Sequence, residues 1–280
     1  KVALSGIGGD EVFGGYPRYL GVRVCEAWAR VPRLLRAGPE ALARRLLPDS
    51  PTSRNLGDWA RRFVDGAARP MPERYVGWTR FFDAPALAAL ATPALGRTFG
   101  GDDVEAAHRA AWATRGHEDA VDGAWRIDLA TYLPDDLLTM ADRMTMARSL
   151  ELRAPFCDHR LIELSLAIPP ATKLAGGALK ALLKAAFADV LPAEVVRRRK
   201  QGFMIPLGRW LRTDLRHLLD DALAPERVRA RGLWRPDVVS RLVDEHLTGV
   251  RTHSDRLWTL LVLELWMREY LDARGAWRLR

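Results

Sequence analysis

The sequence predicts an α/β chain that is predominantly helical, with one short strand at its N-terminus. Three observations carry that reading. The opening Lys1–Leu4 is a short apolar stretch running straight into glycines, as the end of a buried strand does. Amphipathic spacing and helix-boundary residues recur through the rest of the chain. The Pro- and Gly-containing breaks, near 49–51, 69–72, 92–103, 168–177 and 224–236, are too short for flexible linkers, and no internal repeat or low-complexity block is present.

Residues 11–29 carry helical signals directly after the glycines. Residues 56–67 and 105–114 have amphipathic spacing, and 121–133 forms a further helix. Pro134 with Asp135 and Asp136 predicts a new helix start that runs to about Ala147. Proline suits a first helical turn, and acids suit the positive end of the helix dipole. Residues 158–167 read as a helix capped by Asp158 and ended by Pro169 and Pro170. Residues 178–190 make another, stopped by Leu191 and Pro192, and Ser254 is a good N-cap for a last buried helix to about Leu271. A lone buried strand does not make a sheet, so its partner strands are expected upstream of Lys1.

The chain has 280 residues, 48% apolar and 28% charged, enough for an ordinary globular protein with a sizeable core. Cys25 and Cys157 give neither a disulfide framework nor a CxxC pair, so the expectation is two free thiols in a reducing cytoplasm. Cys157 reads as a packing residue. The opening KVALSG does not resemble a secretory signal. The most apolar stretch, 257–267, contains Thr259 and Glu264 and is too short to cross a bilayer, so no membrane partner is expected. Net charge is +8, but the basic residues are spread among acids, and only Arg197–Lys200 forms a run. No zinc finger, basic zipper or aromatic RNA-binding motif accompanies them, so no nucleic-acid partner is expected. Five of the 43 basic residues are lysines, which makes each lysine informative where arginine is the background choice. The six histidines show no metal-ligand spacing, and the ten tryptophans are dispersed.

Ser5–Tyr16, SGIGGDEVFGGY, holds five glycines and two adjacent carboxylates. Glycine loops between a strand and a helix point backbone N–H groups at phosphate. Carboxylates beside phosphate repel it unless a cation lies between, and Mg²⁺ is bound in that way. The loop is therefore expected to serve a Mg²⁺–nucleotide or Mg²⁺–pyrophosphate site, with Asp10 the leading ligand and Glu11 the second. A tight turn with an acid-capped helix start is the competing structural reading.

SGIGGDEVFGGYPRY, Ser5–Tyr19, resembles the second nucleotide-site motif of the asparagine synthetase family, in its glutamine-hydrolysing bacterial branch. Ala141–Leu166, containing Arg-x-Pro-Phe-x-Asp at Arg153–Asp158, is similar to a second family segment. Leu191–Leu211, LPAEVVRRRKQGFMIPLGRWL, is similar to a third, in the family's order. The resemblance implies an α/β fold of the ATP-pyrophosphatase (adenine nucleotide alpha-hydrolase-like) type, incomplete here.

The resemblance also implies a reaction. Aspartate and ATP give a β-aspartyl-adenylate and pyrophosphate, and ammonia made from glutamine in a separate domain then gives asparagine. On that pattern Ser5, Gly6, Gly8 and Gly9 would lie against ATP with Arg143, and Asp10 and Glu11 would hold Mg²⁺. Lys200 would be catalytic, its compact ammonium suited to charge building on the α-phosphate and leaving pyrophosphate. Asp135 or Asp136 would orient or deprotonate the amine, and Asp136 and Arg143 are seven residues apart, on one face of an α-helix. Asp142, Arg143, Glu151 and Arg153 read either as a charged network around the site or as ion pairs positioning helices.

Departures are visible too. Ile7 stands where some family members carry an acid, and the family's Ser-Gly-Gly-x-Asp-Ser loop and glutaminase domain are expected upstream. The 280-residue chain alone is therefore expected to have little ATP-dependent activity. Aspartate or another carboxylate is the expected substrate, and a homodimer is an allowed assembly. The alternatives are a related ligase closing a β-lactam or peptide macrocycle, and a non-catalytic nucleotide-binding remnant.

Overall fold

Val2–Leu4 forms a strand, β1, and pairs in parallel with a second strand of the same chain, β2 (Glu151–Arg153). The register places Ala3 opposite Leu152, and Ser5 N–H continues the ladder to the Arg153 carbonyl at 2.8 Å. The expectation of a lone strand is corrected here: β1 finds a partner within the chain. In this chain Val2 and Leu4 are 50% and 76% exposed. Glu151–Arg153 escaped sequence reading because a three-residue strand of charge, leucine and charge has almost no period to detect.

The computed structural model describes residues 1–46, 63–67, 69–98, 105–114, 119–198 and 205–272. They belong to two compact units, one of Lys1–Glu40, Phe63–Trp78 and Asp103–Gly202, the other of Ala41–Arg62, Thr79–Asp102 and Phe203–Arg280.

In the first unit the helix expected over 11–29 is two helices, α1 (Gly9–Phe13) and α2 (Pro17–Ala29). Gly14 ends α1 in the left-handed conformation (φ 71°), and Pro17 opens α2. Residues 120–146 are continuous: Ala120–Ile127, then π turns over Asp128–Leu138, then Thr139–Met146. Pro134 therefore lies inside a helix and does not start one. The wider π turns relieve the usual clash of a proline ring with the carbonyl four residues back. Thr139 Oγ1 donates to the Pro134 carbonyl at 2.8 Å.

Ala106–Ala113 is helical as predicted, and Asp158 caps His159–Ala167 by accepting from Arg160 N–H at 2.9 Å. The helix expected over 178–190 shrinks to Ala181–Ala186, because Lys180 is left-handed (φ 55°). Residues 63–67 are helical, and the rest of the predicted 56–67 helix lies outside the described residues. Tyr19, Val22, Tyr75, Ala124, Trp125, Ile127 and Leu174 form this unit's core, so α2 and the 120–127 segment bury their apolar faces together.

The second unit is helical, with a core of Leu211, Leu219, Val239, Leu242, Leu257 and Leu261. Pro93–Thr98 and Pro225–Arg231 are helices where breaks were expected, each opened by a proline that the first turn accommodates. Ser254 is the first residue of the last α-helix, Ser254–Met267, and His253 holds the cap position expected of Ser254. Among the described residues no helix is long and apolar enough to cross a membrane.

Candidate active site

The acidic glycine loop leaves the end of β1 and turns directly into α1. Ser5 Oγ accepts from Ile7 N–H at 3.2 Å, which folds the rim of the loop back on itself. Gly6 is exposed and open, with nothing within 4 Å of where a Cβ would stand. Gly8 and Gly9 are buried against Phe156 and Cys157 of the Arg-x-Pro-Phe-x-Asp segment. The segment that resembles a family motif thus forms the floor of the loop. Cys157 is half-buried there, and burial pushes its thiol pKa up.

Asp10 and Glu11 are neighbours in α1, and consecutive helical residues point about 100° apart. Asp10 is half-buried and pairs with Lys180, Nζ to Oδ1 at 3.0 Å. Glu11 is 1% exposed and accepts a short hydrogen bond from the Tyr16 phenol. Burial raises the Glu11 pKa, and the Tyr16 bond offsets only part of that rise. The two carboxylates therefore differ in kind: one lies at the loop, the other is locked beneath it.

Below them lies a polar cluster absent from the sequence reading. Asp128 is 1% exposed, and its Oδ2 accepts from Arg18 Nη2 (2.8 Å), Tyr19 OH (2.5 Å) and Tyr75 OH (2.5 Å). Arg18 also donates Nε–H to Tyr75 OH at 2.7 Å. Its guanidinium stacks 4.1 Å from the Tyr16 ring centre and 4.9 Å from that of Tyr132. A buried carboxylate is tolerated when paired and hydrogen-bonded in this way, and removing one partner of such a pair costs about 3–5 kcal/mol. The cluster ties α2 to the π turns. Tyr132 lies on those turns, and Tyr16, Asp136 and Glu11 all act on its phenol, whose pKa burial raises.

A second buried cation holds the loop from its far side. Lys173 is 1% exposed, donates to the Ser165 carbonyl at 2.8 Å and sits 3.9 Å from the Trp125 ring centre. Burial pulls its pKa down to about 8, against the opposing effect of Asp122. Ser165 Oγ in turn donates to the Val12 carbonyl at 2.5 Å, inside α1.

Asp135 and Asp136 lie exposed on the π turns, and Arg143 is exposed further along the same rod. These three make no side-chain hydrogen bond or ion pair with another described residue. Asp136 lies near the end of the π turns, and Arg143 lies in the α-helix that continues them. Of the expected charged network, Arg153 and Glu151 pair with each other at 2.9 Å on β2. Lys200 lies outside the described residues. The sequence reading missed Lys180, Tyr16, Arg18, Asp128 and Tyr132. Only the closely spaced Tyr16, Arg18 and Tyr19 gave a signal, the rest being too far apart along the chain.

One half-buried carboxylate at the lip of a glycine loop suits Mg²⁺, which keeps several waters and shares phosphate oxygens. Among the described residues no group of three or more His, Cys, Asp or Glu side chains could hold a metal by itself. A strand that runs into a glycine loop and turns at once into a helix is an arrangement that can present backbone N–H groups to phosphate.

A sequence model of the family described as asparagine synthase matches residues 1–268, and the chain belongs to that family. A Mycobacterium bovis protein named "Putative asparagine synthetase (glutamine-hydrolyzing)" is 34% identical over 276 residues, covering 97% of this chain and 40% of that protein. "Asparagine synthetase (glutamine-hydrolyzing) 1" of Bacillus subtilis is 28% identical over 98% of this chain and 41% of its own length. The human asparagine synthetase (glutamine-hydrolyzing) is 35% identical over 116 residues, 38% of this chain. The chain thus spans about two-fifths of the length of the first two relatives. No solved structure matches.

Proposed function

We propose that this chain is part of an ATP-dependent, amide-forming synthetase that converts aspartate to asparagine, with ammonia from a glutaminase domain of the same protein. The observation that carries the reading is Asp10, held at the lip of the glycine loop, in a chain that belongs to the asparagine synthase family. The fold that goes with this reading is the ATP-pyrophosphatase type, and the compartment is the cytoplasm.

In the first step the aspartate side-chain carboxylate attacks the α-phosphorus of ATP, and the bond to pyrophosphate breaks. Ser5, Gly6, Gly8, Gly9 and Arg143 line the nucleotide. Asp10 would hold Mg²⁺, which screens the phosphate charge, while Glu11 anchors α1 from beneath. Lys200 neutralises charge on the α-phosphate and the leaving pyrophosphate. In the second step ammonia attacks the activated carbonyl, AMP leaves with the C–O electron pair, and Asp135 or Asp136 takes the proton from nitrogen.

The test is an assay of the purified full-length protein with aspartate, glutamine, Mg²⁺ and ATP, following pyrophosphate release and asparagine by mass. Wild type is expected to make both, and Lys200→Ala to lose asparagine. Pyrophosphate without asparagine would move the acceptor to a lactam- or macrocycle-forming reaction. No pyrophosphate at all would leave a nucleotide-binding module without catalysis.

A further inference from the structure

Lys173 ends the short helix Pro170–Lys173, is 1% exposed, and has no part in the reaction above. Its ammonium stands 3.9 Å from the Trp125 ring centre and donates to the Ser165 carbonyl at 2.8 Å and to Ser165 Oγ at 3.3 Å. Ser165 lies in the last turn of the helix His159–Ala167, where the helix dipole favours a cation. The Ser165 hydroxyl in turn donates to the Val12 carbonyl at 2.5 Å. Val12 is in the last turn of α1, where carbonyls lack partners within the helix. An ammonium, a hydroxyl and a carbonyl in series form a chain in which charge at the head strengthens the bond at the tail. The tail is α1 itself, the five-residue helix that carries Asp10. Asp122 faces Lys173 from the 120–127 segment and is itself paired with Arg126 at 2.8 Å. From α2, Arg23 donates to the neighbouring Leu174 carbonyl at 3.3 Å. On the helix of Ser165, His159, Arg160 and Glu163 are exposed. On α1, Asp10 pairs with Lys180 and Glu11 with Tyr16. Burial outweighs the pull of Asp122 and lowers the Lys173 pKa to about 8, so the head of the chain gives up its charge a little above neutral pH.

We propose that Lys173 is a positioning residue: its ammonium, acting through Ser165, holds α1 in the orientation that puts Asp10 at the lip of the loop, and its deprotonation loosens that hold and weakens Mg·ATP binding. The inference rests on the reading of the loop as a Mg·ATP site. Stability and binding then move in opposite directions with pH. The folded pKa lies below the usual 10.5, so between about pH 8 and about pH 10.5 the unfolded chain binds the proton more readily. The contribution of Lys173 to stability therefore rises with pH across that window. A merely structural lysine would leave binding level or let it follow that rise. A positioning ammonium makes binding fall instead, and a tenfold preference of Mg·ATP for the charged form confines the fall to about pH 8–9.

The test is calorimetric titration of the purified full-length protein with Mg·ATP from about pH 7 to about pH 9.5. The proteins compared are wild type, Lys173→Met and Ser165→Ala. Methionine has a similar length and removes a buried charge, so Lys173→Met is expected to fold. Ser165→Ala breaks the chain with a smaller change and keeps the test open if Lys173→Met does not fold. Wild-type affinity is expected to fall about tenfold over the range, the scale of a lost hydrogen bond to a charged group. Lys173→Met is expected to be flat, about tenfold weaker than wild type at pH 7 and equal to it at the upper limit. Ser165→Ala is expected to be weaker than wild type at pH 7 and to lose most of the fall. A level wild-type profile would overturn the role of Lys173 while leaving the loop as a Mg·ATP site. So would wild-type affinity at pH 7, or the wild-type fall, in a folded variant. Wild type without Mg·ATP binding at any pH would overturn the nucleotide reading of the loop, and the role of Lys173 with it.

Discussion

Glu11 and Asp10 look alike in sequence, two acids side by side after glycines, and the structure gives them different work. Asp10 faces the loop and Lys180, and Glu11 is sealed under Tyr16. Burial raises the Glu11 pKa above 4.5, the Tyr16 bond notwithstanding. The folded state then binds the proton more readily than the unfolded chain, so stability falls as pH rises from about 4.5 through the raised value. Glu11→Gln keeps an oxygen for the Tyr16 phenol and removes the buried charge. It is expected to be as stable as wild type or more so at pH 7, and to flatten the pH dependence above about 4.5. Urea unfolding at several pH values would show this. A variant less stable than wild type at pH 7, or one that loses Mg·ATP binding, would return Glu11 to the metal site. Sequence could place both acids in the loop but not orient them, because orientation depends on which side of α1 meets Tyr16. Lys180 was illegible for a related reason: neither hydropathy nor spacing announces a left-handed lysine.

At the scale of elements, sequence located much and joined it wrongly. The amphipathic spacing of 105–114 and the Asp158 cap belong to local physics, and both elements stand where they were read. The joints depend on tertiary contact. Residues 11–29 look like one helix because helical signals run on directly after the first glycines. Gly14 breaks it, since its left-handed backbone lets Trp125 and Leu174 pack against the chain. Pro134 looks like a helix start because prolines usually are, and the π turns that absorb it have no sequence period of their own. Gly14→Ala tests the first joint. A Cβ there would stand 2.6 Å from Trp125 and 3.0 Å from Leu174, and φ is 71°. The expected loss is about 2–4 kcal/mol, from a left-handed alanine added to overpacking of the core. Thermal unfolding followed by tryptophan fluorescence measures it. A midpoint within a degree or two of wild type would mean that the joint moves freely and that α1 and α2 are not held apart by Gly14.

For the whole molecule, sequence gave the class and the family motifs, but it could not divide 280 residues into two units whose segments interleave along the chain. Nor could it show where the positive charge goes. Net charge is +8, yet arginines throughout the chain are occupied by acids. Arg18 pairs with Asp128, Arg126 with Asp122 and Arg74 with Glu26. Arg231 bridges Glu264 and Asp272, and Arg268 joins Asp221 to Glu264. Charge bound up in such pairs is a poor footprint for a nucleic-acid backbone, which needs cations free to replace condensed counterions. Any duplex DNA binding is therefore expected to be non-specific and to fall at least a hundredfold between about 50 and about 200 mM salt. Mg·ATP makes fewer ionic contacts, so its affinity over that range is expected to fall by less than about tenfold, along a shallower salt slope. Fluorescence anisotropy with a labelled random duplex, run beside Mg·ATP calorimetry on the same preparation, compares the two slopes. Duplex binding tighter than micromolar that survives the higher salt would mean that the surface charge is organised for nucleic acid. The glycine loop would then be the lesser of two anion sites. Equal slopes would mean that ATP is held by diffuse charge alone, which Asp10 and its lysine partner are not arranged to provide.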